Sequence, residues 1–239
     1  MSNLLLGLSV AFNACFGALA LVMLHRRGGL VYLKRRFLVR SAAQTELDPV
    51  QRLREDVWSS MPACEGGWLF LGDSLIDFAP LQELFVFQVR SRGRSGDRIS
   101  DVAARLAEIR RHRPQRIVLW IGLNDLVAGR SSEEILDGIT ALVEAIKREA
   151  TVASLTLVGV PLVSRAKGPA HADLNRTAAM VNCALRARFP GPEPGFIDPQ
   201  SALTDRDGNL RTEFSLDGTH LNGAGYLAWR DMLLRDLPV

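Results

Sequence analysis

Two short blocks that lie far apart in this 239-residue chain carry side chains suited to acyl transfer. One is Gly72-Asp73-Ser74-Leu75, and the other is Asp217-Gly218-Thr219-His220. A serine hydroxyl is a weak nucleophile that needs an adjacent base, and the base needs a third group to orient it. Asp217 and His220 are three residues apart, so the carboxylate can hold the imidazole Nδ1–H while Nε2 faces Ser74. The simpler interpretations are Ser74 as a helix N-cap and the Asp-Gly pair as a surface turn.

Two further blocks supply candidate donors for the oxyanion that develops during such a reaction. Gly96, in Ser95-Gly96-Asp97, has no side chain and can bring its backbone N–H close to a substrate. Asn124, in Gly122-Leu123-Asn124-Asp125, can donate an amide N–H from the end of an apolar run. Together with the Ser74 N–H, these groups make three predicted oxyanion donors. A loop hinge at Gly96 and an Asx turn or helix cap at Asn124 are the alternatives.

Arginines flank the predicted oxyanion glycine. Arg92 and Arg94 are candidates for binding a phosphate or carboxylate on an ester substrate, because the guanidinium fork matches both anions. A solvated strand-end loop is the favoured alternative for this stretch.

The elements that must position these blocks alternate between strand and helix. The apolar runs that indicate buried strands are Trp68–Leu71, Phe85–Val89, Ile117–Ile121, Leu155–Val160 and Phe196–Ile197. The periodic segments that indicate helices are roughly Ile99–Arg111, Ser132–Glu149, Ala172–Arg188 and Asn222–Leu234, after a short helix that starts near Pro49. This alternation predicts an α/β fold, a flavodoxin-like three-layer α/β/α sandwich with a five-stranded parallel sheet. Active groups in such folds collect at the carboxyl ends of the strands, where the four blocks fall.

Charge is distributed unevenly along the chain. Of 29 basic and 26 acidic residues, six basic and no acidic ones lie within residues 1–40, which leaves the remainder with a net charge of −3. A nucleic-acid-binding domain carries its positive charge on the folded body, so no nucleic-acid partner is expected.

The N-terminal segment Leu4–Leu24 contains no charged residue and predicts one transmembrane helix. A cleaved signal peptide is the alternative, but no basic residue precedes the run and no clear cleavage site follows it. The predicted division is a membrane anchor over residues 1–25, a basic juxtamembrane segment and linker helix over 26–62, and a catalytic domain over 63–239. By the positive-inside rule, this single-pass arrangement leaves the catalytic domain in the cytoplasm. The basic residues at positions 26–40, here called the basic collar, then lie against the membrane.

The four blocks, in this order, resemble those of the SGNH hydrolases, also called GDSL hydrolases. The resemblance covers about residues 67–234, and the tail His220-Leu221-Asn222-Gly223-Ala224-Gly225-Tyr226 is most similar to the platelet-activating-factor acetylhydrolase catalytic-subunit-like group. It implies Ser74 as nucleophile, His220 as base and Asp217 as orienting residue, with Ser74, Gly96 and Asn124 as oxyanion donors. It also implies that no metal or organic cofactor takes part.

The function expected from these observations is a serine esterase that hydrolyses short, acetyl-like acyl esters of a lipid or a sugar. An O-acyltransferase would use the same residues and pass the acyl group to a hydroxyl instead of water. A membrane-tethered binding module that keeps the fold without turnover is the third alternative.

Overall fold

The computed structural model of the protein describes Gly17, residues 49–150 and residues 153–237. The strands are β1 (Trp68–Gly72), β2 (Val89–Gly93), β3 (Arg116–Trp120), β4 (Ser154–Val158) and β5 (Gly195–Ile197). The helices in the described ranges are α1 (Pro49–Ser60), α2 (Ser74–Asp77), α3 (Leu81–Leu84), α4 (Ile99–Ala103), α5 (Ala107–His112), α6 (Leu123–Val127), α7 (Ser132–Glu149), α8 (His171–Arg188), α9 (Gln200–Leu203) and α10 (Gly223–Asp236). Short 3-10 turns lie at Arg165–Lys167 and Thr212–Phe214.

The five strands form one parallel sheet in the order β2-β1-β3-β4-β5. The register places Gly72 beside Gly93 on one side and beside Trp120 on the other. Strands β1, β2 and β3 therefore end level with one another, and the loops that follow them meet at one edge of the sheet. This α/β fold with a five-stranded parallel sheet confirms the prediction from the alternating pattern, and the strand order is the flavodoxin-like one.

Apolar side chains cover both faces of the sheet. In β1, Leu69 and Leu71 point into a cluster that includes side chains of α7 and α8, whereas Phe70 points into a cluster with side chains of α2, α3 and α10. The indole rings of Trp120 and Trp229 stack in the second cluster, with centroids 5.2 Å apart. Strands buried on both faces read as continuous apolar runs because neither face meets water, which is why β1, β3 and β4 are visible in the sequence.

The second strand lies further along the chain than predicted. The sequence indicates Phe85–Val89, but β2 is Val89–Gly93, and Phe85 and Phe87 belong to the loop before it. The reason is that β2 is an edge strand paired only with β1, so it accepts Arg90 and Arg92 in a way that a central strand would not.

The helix predicted over Ile99–Arg111 is divided into α4 and α5 by a turn at residues 104–106. The predicted Ser132–Glu149 helix has the same bounds as α7. Its start is fixed by Ser131, whose hydroxyl accepts from Glu134 N while the Glu134 carboxylate accepts from Ser131 N.

The localisation in a membrane through a single-pass helix is a prediction that the structure corrects. Across residues 49–150 and 153–237, no helix combines the length and the apolar character that a membrane span requires. The longest helices there, α7 and α8, are 18 residues each and carry charged side chains on their exposed faces. Apart from Gly17, the segment Leu4–Leu24 lies outside the described residues, as do the basic residues that follow it and the division at residues 25 and 26.

Candidate active site

Ser74 lies at the sharp turn from β1 into α2. Gly72 ends the strand in close contact with β3, since a Cβ there would lie 2.2 Å from the Trp120 carbonyl oxygen. Asp73 caps α2 by accepting a hydrogen bond from Leu75 N at 3.0 Å. Ser74 is then the first residue of the helix, with its side chain at the carboxyl edge of the sheet.

The turn before α10 brings an imidazole to this hydroxyl. Ser74 Oγ and His220 Nε2 are 2.9 Å apart, and His220 Nδ1 is 2.6 Å from Asp217 Oδ2. The other carboxylate oxygen, Oδ1, accepts from Thr219 N at 2.9 Å and from His220 N at 2.8 Å. Two backbone donors thus fix the carboxylate, and the carboxylate fixes the imidazole.

Electrostatics keep Asp217 ionised. Partial burial raises the pKa of its carboxyl. The hydrogen bonds from the His220 side chain, His220 N and Thr219 N together lower the pKa by more than burial raises it, so the net pKa is well below the ordinary value. An anion beside Nδ1 favours the tautomer with the proton on Nδ1 and stabilises an imidazolium when one forms. In that tautomer Nε2 has a free lone pair toward Ser74.

Gly96 and Asn124 follow β2 and β3, the two strands beside β1, at the same edge of the sheet. Gly96 has φ +85°, in the left-handed region that glycine adopts without strain. Asn124 is in the first turn of α6, and its Nδ2 donates to Asp97 O at 2.8 Å, which ties α6 to the residue after Gly96. The amide has a second N–H that this hydrogen bond does not use.

The sequence model of the GDSL-like lipase/acylhydrolase family matches residues 57–228, which hold all four blocks. The chain belongs to this family. The human platelet-activating factor acetylhydrolase IB subunit alpha1 is 29% identical over 185 residues, which cover 70% of this chain and 75% of that protein. The GDSL family is one of lipases and acylhydrolases, and the protein is therefore a carboxylic ester hydrolase.

Solved structures of other proteins share the fold. A Streptococcus pneumonia protein described as a candidate platelet activating factor is 25% identical, with a TM-score of 0.67 over 77% of this chain and 91% of that one. An acetyl-xylooligosaccharide esterase from Geobacillus stearmophilus, solved as a mutant, is 19% identical, with a TM-score of 0.58 over 74% and 96% of the two chains.

Arg92 and Arg94 are not displayed toward a substrate in this GDSL hydrolase. Arg92 is 7% exposed and Arg94 is 4% exposed. Arg92 Nε donates to Glu108 Oε2 at 2.6 Å, and Arg94 Nε donates to Asp97 Oδ1 at 2.6 Å. Both guanidinium groups are engaged inside the protein, so we do not assign them to substrate binding.

Two groups near the site carry weak or no sequence signals. The Phe78 ring lies against the His220 ring with centroids 5.1 Å apart, and Phe78 is 54% exposed, so it forms part of the rim around the histidine.

Arg105 Nη2 donates to Gly72 O at 3.0 Å and Arg105 Nη1 to Arg92 O at 2.8 Å, which ties the ends of β1 and β2 together. Arg105 lies within the segment that the sequence predicts as one helix, and nothing in its spacing there marks such a role.

Asp73 differs from Asp217 in its surroundings. It is 1% exposed, and among the described residues its Oδ2 has no hydrogen-bond partner. Burial raises the pKa of Asp73 to about 7; the Leu75 N–H lowers it in part, and the nearby Asp97 and Asp125 carboxylates raise it. The acid beside the candidate nucleophile is therefore partly protonated at neutral pH.

Proposed function

We propose that the protein is a serine esterase that works through an acyl-enzyme on Ser74, with His220 as general base and Asp217 as its orienting partner. One observation carries the proposal: the unbroken chain of contacts from Ser74 Oγ to His220 Nε2 at 2.9 Å and from His220 Nδ1 to Asp217 Oδ2 at 2.6 Å. A nucleophile and base within hydrogen-bond reach, with the base held by a third group, is the arrangement that activates a serine.

In the first step, Ser74 Oγ attacks the ester carbonyl carbon while its proton passes to His220 Nε2. The tetrahedral intermediate collapses as the C–O bond to the alcohol breaks, and His220 returns the proton to the departing alkoxide. In the second step, His220 removes a proton from water, which attacks the acyl-enzyme. The acid leaves, and Ser74 Oγ regains its proton from His220.

The Ser74 N–H, the Gly96 N–H and the second Asn124 Nδ2–H are the proposed oxyanion donors. Among the described residues, neither of the two backbone groups donates to a protein acceptor. All three segments meet where β1, β2 and β3 end, at the edge that holds Ser74. Fixed donors at such a position are worth about 10²- to 10³-fold each in kcat.

We propose a short acyl group, acetyl or similar, on a lipid or sugar alcohol as the substrate. The human relative is named as an acetylhydrolase, which supports a small acyl group. A cavity of about 10 Å³ is lined by Leu75, Thr219 and Leu221, which are sequence neighbours of Ser74 or His220, together with seven other residues. A space of this size holds no more than about one water molecule, so this cavity itself could not take a long acyl chain.

The test is hydrolysis of p-nitrophenyl acetate, butyrate and octanoate by the full chain and by Ser74→Ala. Ser100→Ala, an exposed helical serine, is the matched control. We expect turnover that falls from acetate to octanoate, that Ser74→Ala abolishes, and that Ser100→Ala leaves intact. Equal turnover by wild type and Ser74→Ala would refute the proposal. Release that accelerates with an added sugar hydroxyl and yields an acylated sugar would instead identify an acyltransferase.

A further inference from the structure

One face of α1 points at the candidate active site. Gln51, Arg54, Glu55 and Trp58 follow the i, i+3, i+4, i+7 spacing that lines up side chains on one side of a helix. Each of these four side chains contacts the rest of the described domain. The contacts are with α2, which begins at Ser74 (the nucleophile helix), with the loop at residues 94–98 that contains Gly96 (the oxyanion loop), or with arginines that pack beside this loop.

Gln51 and Glu55 hold the loop that contains Gly96, at Ser95 and at Arg94. Gln51 Nε2 donates to Ser95 O at 3.0 Å, and a Cβ on Gly96 would lie 3.6 Å from the same nitrogen. Glu55 Oε1 accepts a hydrogen bond from Arg94 Nη1 in an ion pair. Gln51 and Glu55 lie one turn apart on α1, and they contact consecutive residues of the loop.

The ion pair with Glu55 also balances buried charge. The carboxylate of Asp97 is fully buried and is shared by Arg94 Nε at 2.6 Å and Arg105 Nη2 at 2.8 Å. Two guanidinium groups therefore face one buried carboxylate, and Glu55 supplies the second negative charge. Without it, Arg94 and Arg105 would share one carboxylate and leave one buried positive charge uncompensated, which is costly.

Arg54 reaches the helix that begins at Ser74. Its Nη2 donates to Asp77 Oδ1 at 2.5 Å, and the other oxygen of Asp77 accepts from Ser95 N at 3.1 Å and from Ser95 Oγ at 2.6 Å. Asp77 thus joins the nucleophile helix to the oxyanion loop, and α1 contacts both partners.

Trp58 anchors the other end of this face. Its ring lies under the guanidinium groups of Arg92 and Arg105, at 5.2 Å and 5.3 Å from their carbon atoms, and Arg111 Nη1 donates to Trp58 O at 2.6 Å. A guanidinium group is attracted to the face of an indole ring, so these contacts help to hold α1 against the body of the protein.

From these contacts we propose that α1 is a positioning helix for the oxyanion loop, with Gln51 and Glu55 as positioning residues for the Gly96 N–H. The family model matches from residue 57, so Gln51, Arg54 and Glu55 precede the matched segment. The inference rests on the proposed serine esterase function, because it assigns to α1 the placement of one of that reaction's donors.

A misplaced donor reduces the stabilisation of the transition state more than it reduces the binding of the substrate, because the negative charge on the oxygen develops only during attack. Displacement of a catalytic group by about 1 Å can cost about 100-fold in rate. Loss of one of several supports displaces the loop by less, so we expect about a tenfold loss in kcat for each single variant. The KM should change less than about twofold, since uniform binding is untouched.

The experiment compares Glu55→Gln and Gln51→Met with Asp56→Asn in the full chain. Glu55→Gln keeps the shape and removes the charge, and Gln51→Met keeps the volume and removes the donor. Asp56 is the adjacent carboxylate on the exposed side of α1, so its variant controls for loss of charge in this helix. We would measure kcat and KM for p-nitrophenyl acetate and the Tm of every variant, and assay well below each Tm.

A kcat lower by about tenfold in Glu55→Gln and in Gln51→Met, with KM and Asp56→Asn near wild type, supports the positioning role. Wild-type kcat in both variants would overturn it, as would a kcat loss in Asp56→Asn equal to that in Glu55→Gln. If one variant fails to fold, the other decides alone. Turnover that is lost in Ser74→Ala but unchanged in both α1 variants overturns only this inference, whereas a wild-type protein that cleaves no ester overturns the proposed function.

Discussion

Replacing Asp217 with asparagine should invert the tautomer of His220. Thr219 N and His220 N both donate to Oδ1 of the present carboxylate, at 2.9 Å and 2.8 Å. An asparagine must therefore place its carbonyl oxygen at that position and its NH₂ toward His220 Nδ1. The amide then donates to Nδ1, so the imidazole proton moves to Nε2, which faces Ser74 Oγ at 2.9 Å. A protonated Nε2 cannot accept the serine proton.

We expect Asp217→Asn to lower kcat about 10⁴-fold, the loss that a wrong tautomer causes in a Ser-His-Asp triad, or about 5 kcal/mol at 1.36 kcal/mol per tenfold. The assay is p-nitrophenyl acetate hydrolysis at neutral pH, with Tm measured alongside. Asp173→Asn, at an exposed site on α8, is the matched control and should keep wild-type activity. Activity of Asp217→Asn within about tenfold of wild type, in a folded protein, would refute the tautomer argument.

Three other outcomes are expected. Gly96 and Gly129 have left-handed φ values of +85° and +83°, so Gly96→Ala and Gly129→Ala should each lower the free energy of unfolding by about 1 to 2 kcal/mol. Only Gly96→Ala should slow ester hydrolysis, and equal kcat values for the two variants would exclude Gly96 from the site. Asn124→Ala should lower kcat about 10²- to 10³-fold, and a single-turnover assay with unchanged acylation would contradict this. The folded pKa of Asp73, about 7, exceeds its ordinary 3.8, so stability should fall as pH rises from about 4 to 7. Asp73→Asn should flatten that part of the Tm–pH profile, and a profile parallel to wild type would contradict the assignment.

The placement of Ser74, Asp217 and His220 beside one another could be predicted because each depends on local features. A glycine after a buried strand predicts the turn at Ser74, and the three-residue spacing from Asp217 to His220 keeps that pair together. The parallel sheet then brings strand ends to a common edge, which the alternation of strands and helices already implies. The catalytic roles of these residues stay predictions for the assays above.

The parts that could not be predicted depend on contacts between distant segments. The apolar pattern places β2 too early, because an edge strand needs no continuous apolar run and Arg90 and Arg92 interrupt the pattern. From the sequence alone, Arg92 and Arg94 are candidates for substrate binding, because the sequence does not show that Glu108 and Asp97 fold against them. The face of α1 toward Ser95 is equally invisible, since its contacts span 44 positions of sequence.

The most direct test of an acyl-enzyme on Ser74 is to trap the acylated protein and map the acylated residue. The full chain would be quenched in acid during p-nitrophenyl acetate turnover and digested, with Ser74→Ala and Asp217→Asn treated in parallel, and the peptides read by mass spectrometry. We expect an acetyl group on Ser74 in the wild type, no acetylated peptide from Ser74→Ala, and a strongly slowed rise of the adduct in Asp217→Asn. Steady turnover by the wild type with acetylation at another residue, or undiminished turnover by Ser74→Ala, would contradict the acyl-enzyme mechanism on Ser74.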